Sequence, residues 1–291
     1  DARAAFLAVA RLAQHGLDEA FRNSVAVGAD PDMVAIIDNF CWPDPVEAPD
    51  NPDGAYKMAQ LVRACRGLHE AAVAYGAPLI SGKDSMKNDS RMGGVKISVP
   101  PTLLVSAIGK IDDVTTALTL EPKAVGDVVY LLGATRNETG GSEYFRLRGH
   151  LDGQAAELGQ PAPYVGNAVP RLELSETLPR YRALETAIRA GIVRSVAVVA
   201  KGGLGVSFAR MALASRLGLE LDLTAAADLA GLDPDVALFS ESLGRLLVSV
   251  APGQVADFER CMSATGCHRL GTTVDAPRLV VRRAGAVLVD V

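Results

Sequence analysis

Apolar residues recur at helical spacing from about Ala2 to Val27, and the pattern stops at Gly28, with Asp30-Pro31 behind it. One long helix is therefore predicted to lead the chain. Asp32 to Asn39 reads as a strand buried on both faces, Pro43 to Asp53 as a proline-rich loop, Ala55 to Tyr75 as a helix closed by Gly76, and Ala77 to Ile80 as the next strand. Val95 to Val99 and Thr102 to Ile111 read as two strands around Pro100-Pro101, expected as neighbouring antiparallel pieces of one mixed sheet.

A second unit is predicted to begin with the strand Asp127 to Leu132, after a connector over Asp112 to Lys123, so the expected domains are residues 1–120 and 121–291. A Gly-rich polar stretch between Gly133 and Ala168 precedes a helix predicted over Ala168 to Ala190. Then come a strand (Val193 to Val199), a helix opened by Gly202-Gly203 and running to Leu217, a strand (Leu219 to Leu223), and a closing hairpin, Leu279 to Arg283 with Ala286 to Val291. The fold class is α/β with mixed sheets.

Length agrees with two domains, because 291 residues exceed one average domain. A net charge of -5 lacks the basic stripe of a nucleic-acid binder, so no nucleic-acid partner is expected. No apolar stretch approaches the roughly 18 residues that span a bilayer, and the first residues show no signal pattern, so no membrane partner and a cytoplasmic location are expected. The four cysteines, Cys41, Cys65, Cys261 and Cys267, form no CxxC pair and read as reduced thiols. Asp1 opens the chain directly in a helical pattern, as in a piece cut or processed from something longer.

Two segments stand out chemically. Val34-Ala35-Ile36-Ile37-Asp38-Asn39-Phe40 and Pro78-Leu79-Ile80-Ser81-Gly82-Lys83-Asp84-Ser85-Met86 are apolar runs that end in carboxylate, amide, hydroxyl or glycine. A carboxylate ending a buried strand is costly unless it binds something or caps a turn, and either role is open to Asp38. Ser81 to Ser85 reads as a loop whose glycine admits close approach and whose Lys83 neutralises charge; it is a phosphate contact or an ordinary polar turn. Its spacing is not that of a P-loop. Glu19 and Asn23, four apart on the first helix, share a face that either reaches a metal ion or is simply solvated. Gly140-Gly141-Ser142 and Lys201-Gly202-Gly203 sit where helices start and either offer amides to an anion or connect elements. Glu241 and Arg245, four apart, read as a surface ion pair. His15, His69 and His268 fall in or beside helical patterns and His150 in the loop, and no catalytic role is assigned to any of them.

The order of these motifs is more specific than any one of them. Glu19 to Pro31, Asp38-Asn39-Phe40-Cys41-Trp42-Pro43-Asp44-Pro45, Ser81 to Ser85, Gly140-Gly141-Ser142-Glu143-Tyr144 and Ser240-Glu241-Ser242-Leu243-Gly244-Arg245 together resemble the phosphoribosylformylglycinamidine synthase family across essentially the whole chain. The resemblance implies two tandem aminoimidazole ribonucleotide synthetase-like units in the family's proteins. This chain looks like the second unit, its N-terminal domain lacking the first strand. The implied reaction is ATP-dependent amidation of formylglycinamide ribonucleotide by ammonia from a glutaminase, in purine biosynthesis. Implied cofactors are ATP and Mg2+; implied partners are the N-terminal half of the synthetase, a glutaminase and a small accessory subunit.

Carried over by position, Asp38 and Gly82 match ATP contacts and Ser85 a substrate contact. Lys83 stands where smaller members place a magnesium-binding asparagine, so it substitutes charge for the ion. Glu19 and Asn23 match magnesium ligands of an auxiliary nucleotide site, whose third ligand, an aspartate, is replaced here by Lys201. The family's catalytic histidine belongs to the first copy, so no catalytic residue is expected in this half, and the isolated chain is expected to be inactive. Two other readings stay open: a scaffold half that binds a structural nucleotide, and a free-standing kinase or cyclo-ligase that acts as a homodimer.

Overall fold

A computed structural model describes residues 2–151, 166 and 168–291, so the rest of the polar stretch after Leu151 lies outside the described residues. The chain divides into two compact units, Asp1–Ser24 with Pro31–Lys110, and Val25–Asp30 with Ile111–Val291. Each is a mixed α/β arrangement.

The first unit contains α1 (Ala2–Ala26), β1 (Val34–Cys41), α2 (Gly54–Tyr75), β2 (Leu79–Ser85), β3 (Asp89–Met92), β4 (Val95–Ser98) and β5 (Thr102–Gly109). Both helices end within two residues of the glycine that predicts their stop. Gly76 adopts a left-handed φ of 63° and its N–H caps the carbonyls of Ala72 and Val73. Leu17 and Phe21 of α1, Leu68 and Tyr75 of α2, and Val34, Ile36 and Phe40 of β1 are buried. Phe21 and Tyr75 meet with ring centroids 4.7 Å apart. The Tyr75 hydroxyl donates to Asp18 Oδ1 at 2.8 Å, and Asp18 pairs with Arg22 at 3.5 Å, so this interior carries a hydrogen-bonded charge pair. α1 and α2 approach so closely that a Cβ on Gly67 would lie 2.1 Å from the Ala10 carbonyl oxygen.

The sheet has three strands in the order β2-β1-β5, with β1 parallel to β2 and antiparallel to β5. Three expectations fail here. β4 pairs with β3, and β5 with β1, so the segments around Pro100-Pro101 belong to different sheets. The reason is that two prolines in succession supply no ladder donors and break the path between them. Ser81 to Ser85 is not a loop but the second half of β2, because β1 extends to Cys41 and offers it a continuous parallel partner. β1 is also buried on one face only, with Ile37 exposed. The β3–β4 hairpin is tied down by Lys57, whose ammonium reaches Asn51 Oδ1 at 3.0 Å, Asp53 Oδ1 at 2.9 Å and Ser98 Oγ at 3.2 Å.

The second unit contains β6 (Val128–Leu132), α3 (Glu143–Leu151), α4 (Leu174–Arg189), β7 (Val193–Val198), α5 (Gly203–Ser215), β8 (Gly218–Asp222), α6 (Pro234–Phe239), β9 (Leu246–Val250), α7 (Val255–Met262), β10 (Cys267–Val274), β11 (Leu279–Arg283) and β12 (Ala286–Asp290). Among the described residues, its strands form one sheet in the order β12-β11-β8-β10-β6-β9-β7. β6 and β9 are buried at every position, as strands covered on both faces must be. One face packs Val129, Leu131 and Leu247 against Leu204, Phe208 and Met211 of α5 and Leu238 of α6. The other carries Tyr130, whose ring lies 4.9 Å from Phe258 of α7. The closing hairpin forms as predicted, turning through Ala284 and Gly285, both at positive φ. His268, read as in or beside a helical pattern, lies in strand β10, and His150, read as in the loop, lies in α3, because β10 begins at Cys267 and the helix after Ser142 runs to Leu151.

Candidate functional site

Strand alternation sorts the residues of the first unit. In β1 and β2, Asp38 pairs with Gly82 and Phe40 with Asp84, while Asn39 pairs with Lys83 and Cys41 with Ser85. Successive side chains point to opposite faces, so Asp38, Gly82 and Asp84 share the face of buried Phe40, and Asn39, Lys83 and Ser85 share the other. The five-residue motif is thus divided between two surfaces. Asp38 lies over Gly82: a Cβ there would sit 2.2 Å from Asp38 Oδ1. Burial pushes the Asp38 carboxyl above its ordinary range, and the nearby Asp84 carboxylate adds to the push. Burial also raises the Cys65 thiol of α2, with Asp84 and Asp38 contributing in that order. The two carboxylates therefore form one locally negative corner, and the Cys65 thiol beside them is held in its neutral form.

The opposite face of the sheet is open. Ile37, Leu104 and Ile108 are 37%, 59% and 60% exposed, and the register places them together with Asn39, Lys83 and Ser85. The aromatic residues of the Asp38-to-Trp42 run have a structural role: Phe40 and Trp42 are buried, and the Trp42 indole donates to the Lys57 carbonyl at 3.0 Å. Glu19 and Asn23 are both exposed on α1, one turn apart.

In the second unit, β6 and β7 each run antiparallel to β9, so their C-terminal ends share the edge where β9 begins. Three connections gather there: 133–142 after β6, 199–202 after β7, and 240–245 before β9. Glu241 Oε1 accepts the Glu143 N–H at 2.9 Å and the Gly202 N–H at 2.9 Å. Both glycine segments predicted to open helices do so, and Lys201 is exposed on the turn before α5. Their amides converge on a side chain of the protein itself.

Arg245 overturns its reading as a surface ion-pair partner, being fully buried. Its guanidinium donates to the carbonyls of Ser242 at 2.8 Å and Ser240 at 2.6 Å, and to Thr135 Oγ1 at 2.9 Å. The helical spacing misled because α6 ends at Phe239, so residues four apart beyond it share no helix face. Ser242 Oγ donates to Glu138 Oε2 at 2.6 Å, and the Arg180 guanidinium reaches the Gly244 carbonyl at 3.2 Å. Thr135, Glu138 and Arg180 carried no readable signal, since their partners lie far away in sequence. Among the described residues no helix is long and apolar enough to cross a membrane.

Residues 124–284 match the model of the AIR synthase related protein, C-terminal domain, and residues 3–111 that of its N-terminal domain. The chain is 30% identical over 240 residues to phosphoribosylformylglycinamidine synthase subunit PurL of Methanocaldococcus jannaschii, a match covering 82% of this chain and 30% of that protein. It thus spans about a third of the length of such relatives. Among solved structures, T. maritima PurL complexed with FGAR superposes with a TM-score of 0.69 at 15% identity, covering 96% of this chain and 41% of that one. Hydrogenase maturation protein HypE in complex with ATP superposes with a TM-score of 0.62 at 15% identity, covering 96% of this chain and 79% of that one.

Proposed function

The chain belongs to the AIR synthase related protein family, and from that premise we propose that it is the C-terminal half of a synthetase that converts formylglycinamide ribonucleotide to formylglycinamidine ribonucleotide. Ammonia from a glutaminase subunit or domain is the nitrogen source. The observation that carries this reading is the open sheet face, where exposed Ile37, Leu104 and Ile108 lie beside Asn39, Lys83 and Ser85. An exposed apolar patch edged by polar groups marks an interaction surface. Its occupant is the N-terminal half, a second unit of the same type, for which relatives about three times as long leave room. A small accessory subunit completes the assembly; one structural neighbour is the PurLQS structure of Thermotoga maritima.

In this reading Asp38 and Gly82 contact ATP, as T. maritima PurL is known in complex with ATP. Bound Mg2+-ATP supplies a transferable phosphoryl group and spreads its charge. Gly82 suits the role because any side chain there would displace the Asp38 carboxylate. Ser85 contacts the ribonucleotide, and Lys83, on the same face, provides positive charge for it. Glu19 and Asn23 offer a carboxylate and an amide oxygen, the hard donors that Mg2+ prefers. Lys201, in the second unit, offers no such oxygen and contributes charge to a phosphate there instead of a ligand to a metal. None of these groups abstracts a proton or attacks substrate; they orient and neutralise.

A second reading, a free-standing ATP-dependent homodimer, draws on the larger share of HypE that the chain covers. Asp38→Asn in the assembled synthetase tests the proposal against a scaffold role. A residue that contacts ATP loses about tenfold or more in turnover with an unchanged or higher melting temperature; a scaffold residue leaves turnover intact.

A further inference from the structure

The first amides of a helix have no partners within it and carry partial positive charge, so two helix starts that meet at one point form a cradle for a negative oxygen. Here the starts of α3 and α5 meet at Glu241 Oε1, with both N–H···O distances 2.9 Å. The occupant of the cradle is part of the polypeptide.

The surrounding geometry is built for this arrangement. Gly202 and Gly203 adopt φ of 79° and 63°, and a Cβ on Gly203 would lie 2.5 Å from the Ser240 carbonyl oxygen. The segment bearing Glu241 is itself fixed. Ser240 Oγ donates to the Arg136 carbonyl at 2.6 Å, the Arg136 N–H donates to Ser242 Oγ at 3.0 Å, and the Glu241 N–H donates to the Glu138 carbonyl at 3.2 Å. Arg245, fully buried, anchors the end of that segment through the carbonyls of Ser240 and Ser242. The backbone bearing Glu241 is thus tied to the 133–142 connection independently of its carboxylate. Lys201 adjoins Gly202 in a turn that the Gly203 N–H closes on the Ala200 carbonyl at 3.0 Å, so that turn and the Glu241 bond together fix its backbone.

We propose that Glu241 is a positioning residue, an internal carboxylate ligand that clamps the two glycine segments together and thereby sets where Lys201 stands. The amides of Glu143 and Gly202 serve the clamp, and the charge presented to an anionic ligand at this edge comes from Lys201. The clamp stands independently of the proposed synthetase function, and only the role assigned to Lys201 rests on it.

Glu241→Ala in the whole chain, studied by hydrogen exchange and thermal melting in sodium formate against sodium chloride at equal ionic strength, tests this. Exchange should quicken about tenfold in peptides covering both 140–146 and 200–207, while those in β8 and β10 stay unchanged. Formate, a free carboxylate that fits the emptied cradle, should restore protection and raise the melting temperature of the variant but not of the parent. Response in one segment alone, or no formate effect on the folded variant, overturns the proposal.

Glu241→Gln keeps the acceptor but not the charge, and covers the case in which the alanine variant fails to fold. Its two segments should exchange faster by a similar factor of about three to ten, since a charge-assisted bond is roughly twice as strong as a neutral one; unequal or absent responses overturn the clamp. In the assembled synthetase, Lys201→Ala should weaken the binding of ADP, the probe for an anionic ligand at this edge, in the parent and have no further effect beside Glu241→Ala. Failure of that arm alone, with both exchange results as expected, refutes the ligase role of Lys201 and leaves the clamp standing.

Discussion

The carboxylate of Asp38 occupies the space above Gly82, so closely that a Cβ at that position would lie 2.2 Å from Asp38 Oδ1. The two residues are register partners on adjacent parallel strands, and one can be large only because the other has no side chain. Gly82→Ala should therefore force the Asp38 carboxylate from its position and destabilise the first unit by about 1 kcal/mol or less, below the cost of overpacking a closed core, because Gly82 is exposed and the obstructing atom ends a side chain. Chemical denaturation of the variant measures it. Combining it with Asp38→Ala should recover most of the loss, because the obstructing oxygen is gone.

Asp38 also confers a pH dependence on the first unit. Burial, and then Asp84, raise its pKa in the folded state above the ordinary carboxylate value. The folded state then holds this proton more tightly than the unfolded state does, so the contribution of Asp38 to stability falls as pH rises from the unfolded pKa through the raised one. Asp38→Asn removes that fall. Melting curves between about pH 4 and 7 should show the variant gaining on the parent as pH rises, and a difference that stays constant with pH would contradict a raised Asp38 pKa.

Arg245 should be a highly sensitive charged position in the second unit. Removing its side chain strands the carbonyls of Ser240 and Ser242 and the Thr135 hydroxyl in a buried site. Arg245→Ala should cost about 3–5 kcal/mol. Arg245→Lys should recover only part of it, since one ammonium cannot reproduce a planar fork that serves three acceptors. Urea denaturation with both variants distinguishes a fork from a charge: equal stability of the lysine variant and the parent would refute the fork.

Much of the fold was legible because its signals are local. Gly28 and Gly76 end helices, Ala284-Gly285 turns a hairpin, and the unbroken apolar run of β6 is buried throughout. What escaped depends on partners distant in sequence. Ser81 to Ser85 looks like a loop by composition, yet β1 makes it a strand, and the alternation that follows puts Lys83 and Ser85 across the sheet from Asp38 and Gly82. The i, i+4 spacing of Glu241 and Arg245 suggested a helical pair, whereas each is fixed by connections about a hundred residues earlier in the chain. Motif order located these residues, but it could not say which of them face one another.

The central claim is that this chain supplies one side of a site completed by a second unit of its own kind. The direct test is ADP release in the presence of Mg2+-ATP, formylglycinamide ribonucleotide and ammonium, measured for the purified chain alone and after assembly with the N-terminal half of the synthetase. Turnover only in the assembly, lost when Ile37, Leu104 and Ile108 are replaced by glutamate on the open face, is the predicted result; turnover by the chain alone would contradict it.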